Sequence, residues 1–177
     1  LAGKPYMGVG RNLSYKKTIF YRHKGFSAHN NIPSGDDDLF INMAATKKNT
    51  KINVDKEAFT LSDPPNTWGQ WIRQKNRHYS TGKFYKPLHT FLLGLYTFSH
   101  FLFYPLLVVS LIFYNWQIAL LVFGIRFLVQ AIVLYPCLKR LNEKEWYPWF
   151  LFIDIWMFFY YLIFAASVFK KARKVWK

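Results

Sequence analysis

The chain is poor in cysteine, poor in acidic residues and, across a long central stretch, almost without charge. Its single cysteine, Cys137, excludes a disulfide framework and any multi-cysteine zinc site. Nine Asp and Glu stand against 24 Lys and Arg in 177 residues, a formal net charge of +15. From Pro87 to Leu138 the only formal charge is Arg126. Residues 1–86, by contrast, carry 15 of the basic and six of the acidic residues. One uniform soluble domain does not divide in this way. The opening Leu1-Ala2-Gly3 lacks an initiator methionine and the charged, apolar and cleavage regions of a signal peptide. The expectation is a C-terminal part of a longer polypeptide. Gly8-Val9-Gly10 lacks both a third glycine and a following Gly-Lys-Ser/Thr, which excludes a phosphate loop. No internal repeat or low-complexity tract is visible.

What is abundant is apolar and aromatic: 52% hydrophobic and 21% aromatic residues. Three stretches, 88–113, 116–138 and 146–169, reach the roughly 20 residues needed to cross a bilayer. Each has interfacial aromatics near an end: Tyr114 and Trp116, then Tyr135, then Trp146, Tyr147 and Trp149. Lys83 and Lys86 precede the first stretch, and Lys139, Arg140 and Lys144 follow the second. The turn at Tyr114-Asn115 is uncharged. The positive-inside rule then puts residues 1–86 and the 139–145 loop in the cytoplasm and that turn outside. Three crossings would leave the basic tail, 170–177, on the outer side, against the same rule. Alternatively, one segment, such as the first with its Pro105, lies along the interface.

Residues 1–86 read as α/β. Gly8 to Asn12 forms a turn, a short mixed run reaches Phe20, and Lys24-Gly25 is a break. Ser34-Gly35-Asp36-Asp37 has the form of a helix start, with Leu39, Phe40, Met43 and Ala44 as an apolar stripe. Residues 51–60 are expected to form a strand. Thr67-Trp68-Gly69-Gln70 has capping-box spacing and should open a second helix after Pro64-Pro65-Asn66.

Two clusters could carry chemistry. Asp36, Asp37 and Asp38 are side by side in a basic region. Acidic side chains in a first helical turn complement the helix dipole, but the same carboxylates could supply a general base or grip a cation. The second cluster is Gln74-Lys75-Asn76-Arg77-His78. On a helix Gln74, Arg77 and His78 share one face. Arg binds phosphate bidentately, Gln donates and accepts, and a flat ring stacks on sugar. The plainer reading is a solvated basic face beside the membrane. His23, His29, His89 and His100 do not fall at metal-ligand spacings.

The motifs in order are Gly10-Arg11-Asn12-Leu13-Ser14-Tyr15-Lys16-Lys17, Lys24-Gly25-Phe26, Gly35-Asp36-Asp37-Asp38-Leu39-Phe40 and Gln74-x-x-Arg77-His78. That order, followed by apolar spans, resembles the C-terminal half of membrane-integrated bacterial family 2 glycosyltransferases akin to cellulose and hyaluronan synthases. The resemblance covers residues 1–86 by motif and the rest by the presence of spans. It implies the C-terminal part of a GT-A α/β domain over residues 1–86, then about three transmembrane helices over 87–177. It further implies inverting sugar transfer from a nucleotide-sugar donor to a hydroxyl of a lipid or glycan acceptor. The location would be the cytoplasmic face of a bacterial inner membrane. Asp36 or Asp37 would be the base, with ungapped alignment favouring Asp36. Arg77 would stabilise the leaving diphosphate, and Gln74, His78, Arg11, Asn12 and Asp38 would contact substrates. The divalent metal, Mg or Mn, would be held upstream, with no metal site in this chain. His78 replaces the family's usual Trp, and Gly35 stands where its Glu often stands.

Two other classes compete: a membrane-tethered basic module binding anionic lipid or nucleic acid, and a small transporter subunit using Arg126 and Asp154. Three adjacent carboxylates would repel phosphates, so nucleic acid is not expected as a partner. Arg126 and Asp154, both in apolar stretches, are expected to pair, with Gln130 one turn from Arg126 sharing the hydrogen bonds.

Overall fold

The computed structural model describes residues 3–32 and 34–167. Among them the regular structure is helical throughout, with no strand: α1 Lys17–Arg22, α2 Asp36–Ala44, α3 Trp68–Thr81, α4 Pro87–Phe113, α5 Trp116–Arg140 and α6 Phe150–Phe164, joined by short 3-10 turns. They divide into two units. The first comprises the described residues up to Gly94 and from Phe164 on; the second is Leu95–Ile163.

In the first unit, α2 begins after Gly35, whose φ of 87° is left-handed and costs glycine little. No Ser34 cap forms; instead Asp37 Oδ1 accepts the Asp38 N–H at 2.9 Å. The apolar stripe then buries Leu39, Phe40 and Ala44. Phe40 packs among Tyr15 at 4.8 Å, Phe20 at 5.7 Å and Phe26 at 6.0 Å between ring centroids. Helix α3 opens with the expected reciprocal cap. Thr67 Oγ1 accepts from Gln70 N, and Gln70 Oε1 accepts from Asn66 N.

The α/β expectation is corrected for residues 51–60. They are extended but unpaired, interrupted by a 3-10 turn at Lys56–Ala58. A strand needs a neighbour for its N–H and C=O groups, and among the described residues the backbone bonds of this segment are those of its own turn, Ala58 N–H to Asp55 O and Phe59 N–H to Lys56 O. Asn12 Nδ2 donates to Ala58 O at 2.9 Å, and Arg11 bonds Ser62. Ile52, 86% exposed, buries nothing.

The second unit contains most of the apolar helices. The helices Pro87–Phe113, Trp116–Arg140 and Lys144–Phe164 are each long and apolar enough to cross a membrane, and in each apolar window only 6% is buried within the chain. A soluble helical core would bury such surface, so lipid is the solvent these faces suit. Pro105 does not break α4, which runs continuously from Pro87 to Phe113. Asn115 Oδ1 caps α5 by accepting from Gln117 N and Ile118 N. Of the third stretch, residues 144–149 are 3-10 and α6 starts only at Phe150. Residues 168 and 169 and the basic tail 170–177 lie outside the described residues.

The unit is fastened at its centre. Arg126 meets Asp154 in a two-pronged pair, Nη1 to Oδ2 at 2.6 Å and Nη2 to Oδ1 at 3.1 Å. Gln130 Nε2 donates to Oδ1 at 2.9 Å and Tyr104 Oη to Oδ2 at 2.5 Å. His100 Nδ1 faces Arg126 Nη2 at 3.3 Å, so this nitrogen is the acceptor. Nε2 then carries the hydrogen and donates to the Asp154 carbonyl at 3.1 Å. The pairing and the Gln130 contact match the sequence reading; Tyr104 and His100 were not anticipated.

Removing one partner of such a pair strands a charge in apolar surroundings, which costs about 3–5 kcal/mol, whereas replacing both by apolar groups costs far less. Asp154→Leu should therefore cut the yield of folded protein in detergent at least several-fold. Arg126→Met with Asp154→Leu should recover most of it in a size-exclusion and thermal-melt comparison. Additive losses in the double variant would show that the two side chains do not act together.

Candidate functional site

The first helical turn of α2 distributes its three carboxylates to three environments. Asp36 is exposed, Asp37 half-buried and Asp38 4% exposed. Asp37 Oδ2 accepts the Gly10 N–H at 2.6 Å while Oδ1 accepts the Asp38 N–H. A Cβ at Gly10 would sit 3.0 Å from that same Asp37 oxygen, so the missing side chain permits the approach. Asp37 thus fastens the Gly10–Asn12 turn to the start of α2 and places Arg11 there. Asp36 keeps its carboxylate toward solvent.

Asp38 points inward. The Tyr85 hydroxyl and the Gly8 N–H bond its carboxylate, but Oδ1 has no partner among the described residues. Burial, reinforced by the neighbouring Asp37 charge, pushes its pKa up to about 6. Burial likewise raises the Tyr85 phenol, with the Asp38 charge adding to the effect.

Helix α3 reaches this turn through its C-terminal half. A Cβ on Gly35 would lie 2.7 Å from Thr81 Cγ2, so glycine is required both for its φ and for this contact. His78 lies close enough to Asp37 and Arg11 for both charges to act on its ring. Its surface is exposed, yet crowding first, then the Arg77 and Lys75 charges, hold the imidazole below its usual pKa. At neutral pH it is an uncharged, flat, hydrogen-bonding ring. Arg77 is exposed and Gln74 half-buried on the same helical face. The structure therefore holds the Gly10-Arg11 turn against Asp37, with Asp36 adjoining and His78 near enough for the Asp37 and Arg11 charges to act on it. Asn12 is turned to the 51–60 segment through its bond to Ala58 O, and Asp38 is enclosed.

Three supporting residues escaped the sequence reading. Asn42, 3% exposed, lies one turn beyond Asp38 on α2. Its Nδ2 contacts Tyr6 O at 2.8 Å and His89 Nδ1 at 2.9 Å, and its Oδ1 accepts Lys86 N at 2.8 Å. It ties α2 to the start of α4; a polar residue within an apolar stripe was the available signal. Tyr85, the partner of Asp38, had no such signal. His29, 8% exposed, bonds the Asp36 backbone, and burial lowers its pKa. It supports the exposed carboxylate from below as a neutral ring. Among the described residues no three His, Cys, Asp or Glu side chains converge as metal ligands.

The raised Asp38 pKa has a definite consequence. The folded state holds this proton up to about pH 6, the unfolded chain only to about pH 4. Its contribution to stability therefore falls as pH rises from about 4 to 6, by up to roughly 3 kcal/mol. Asp38→Asn should remove that slope. The melting-temperature difference between Asp38→Asn and the parent should grow in favour of the variant from pH 4.5 to 7. A constant difference would mean that Asp38 is not a buried acid.

No family model, curated protein or solved structure matches the chain, so its function has to be argued from the site's own residues.

Proposed function

We propose that the chain is the C-terminal part of an inverting, GT-A-type family 2 glycosyltransferase. It would transfer a sugar from a nucleotide-sugar to a hydroxyl of a lipid or glycan at the cytoplasmic face of a bacterial inner membrane. The carrying observation is the convergence, at the N-terminus of α2, of the Gly10-Arg11 turn, the Asp36-Asp37 carboxylates and His78 of α3. These come from three of the four sequence motifs on which the resemblance rests. A basic lipid-binding module has no need of carboxylates in the middle of its cationic surface.

In this reading Asp36 is the base. An inverting transfer needs one carboxylate to take the proton of the acceptor hydroxyl as its oxygen attacks the anomeric carbon. Asp36 faces solvent, whereas Asp37 has both oxygens engaged by backbone N–H groups. Arg77 and Arg11 supply positive charge for the departing nucleoside diphosphate. Gln74 and the uncharged His78 line the acceptor side by hydrogen bonding and by stacking on a sugar ring. The donor-binding half, with any Mg or Mn ion, belongs to sequence upstream of Leu1. The described residues offer that ion no ligand cluster.

In the full-length protein Asp36→Asn should lower turnover by on the order of 10²–10⁴ while nucleotide-sugar affinity stays nearly unchanged. Asp37→Asn should act less strongly, by loosening the Gly10 turn. Transfer assays on membranes, with donor affinity measured alongside, check both. Near-normal turnover in Asp36→Asn together with its loss in Asp37→Asn would move the base to Asp37. Normal turnover in both would remove the proposed role of this helix.

A further inference from the structure

We propose that the third apolar segment is re-entrant: it enters and leaves the membrane on the face where α4 begins and α5 ends. The inference is independent of the catalytic reading.

The levels follow from the α4–α5 hairpin. Arg126 Cζ lies 4.4 Å over the Phe103 ring and Phe103 stacks on Phe123, so residues 103–104 of α4 are level with 123–126 of α5. These positions are also nearly equidistant from the Tyr114-Asn115 turn. After Arg140 the chain reverses at Leu141 and Asn142, the latter with φ of 58°. Residues 144–149 run back along α5, with Tyr147 against Tyr135 at 5.2 Å and its hydroxyl at Ala131 O. Phe150 already stacks on Phe127 at 4.8 Å. Thirteen helical residues separate Phe127 from Arg140, so α6 starts about 20 Å below the end of α5.

A crossing helix would continue past Phe123 and Ala119 toward the turn. Helix α6 does not. Asp154 is bonded to Tyr104 and to His100, Phe158 stacks on Phe101 at 5.0 Å and meets Tyr104 at 5.7 Å, and Tyr161 meets His100 at 5.4 Å. As α6 advances, its partners on α4 retreat toward Pro87. The helix thus runs antiparallel to α4, heading back to the face from which α4 started. Its 15 residues span about 22 Å, short of the roughly 30 Å hydrocarbon layer.

The first unit gives a second observation. Phe164, 2% exposed, packs on Trp71 at 5.5 Å and Tyr79 at 5.7 Å. Both belong to α3, which ends at Thr81, six residues before α4 begins at Pro87. The last residue of α6 is therefore packed on α3, the helix that leads into α4. Backbone at membrane depth is tolerated in a re-entrant segment when it is helical or packed on protein; residues 144–149 form a 3-10 helix whose Tyr147 packs on α5.

Single cysteines in a Cys137→Ser background test this in sealed vesicles with a membrane-impermeant maleimide. Asn115→Cys marks one face and Asn142→Cys the other. Ala166→Cys, exposed just past the end of α6, should be modified from the side that modifies Asn142→Cys. Modification from the side that reaches Asn115→Cys would show a crossing helix and overturn the proposal. A protease site appended after Lys177 repeats the comparison without replacing a residue. It should be cut from the Asn142 side, and cutting from the Asn115 side would contradict re-entry.

Discussion

The second unit depends on the neutralisation of one cation. Arg126 is the only formal charge between Pro87 and Leu138, and an unpaired charge at bilayer depth costs roughly 2.5–3.5 kcal/mol or more. Asp154 removes that cost, but only by arriving at Arg126 with its carboxylate oriented. Tyr104 and Gln130 occupy its remaining lone-pair directions, and His100 bonds its carbonyl. Aromatic contacts with Phe101, Phe127 and Tyr104 add to it, though apolar faces gain much the same from lipid as from one another.

The carboxylate helix of the first unit is held by a comparable device at smaller cost. Phe40 anchors it in an aromatic cluster. Asn42 bonds the chain near Tyr6 on one side and Lys86 and His89 on the other. Gly35 lets the first turn touch Thr81 without a Cβ in between. Asp36 is thus exposed on a helix whose other faces are fixed, the arrangement a proton acceptor needs.

Local features were legible in the sequence because they are local. The Thr67–Gln70 cap, the Gly25 break and the long apolar helices depend on spacing within a few residues. The Arg126–Asp154 pair was legible for another reason: two isolated charges in apolar stretches have few partners to choose from. The strand at 51–60 was misjudged because strand formation needs a neighbour, and none is present among the described residues. Asn42 and Tyr85 were invisible because their roles depend on which distant backbone groups they meet. For the site, the sequence pointed to the residues, while the division of labour among Asp36, Asp37 and Asp38 came only from their burial.

Sugar transfer at the membrane surface is the activity proposed for this chain as part of the full-length protein. The most direct measurement is release of nucleoside diphosphate from a panel of nucleotide-sugars by membranes carrying the full-length protein, with and without added lipid and glycan acceptors. Release is expected from at least one donor, stimulated by an acceptor and matched by label entering lipid or glycan. Absence of release from every donor, together with tight salt-sensitive binding of the protein to anionic vesicles, would contradict it and mark the basic region as a lipid-binding module.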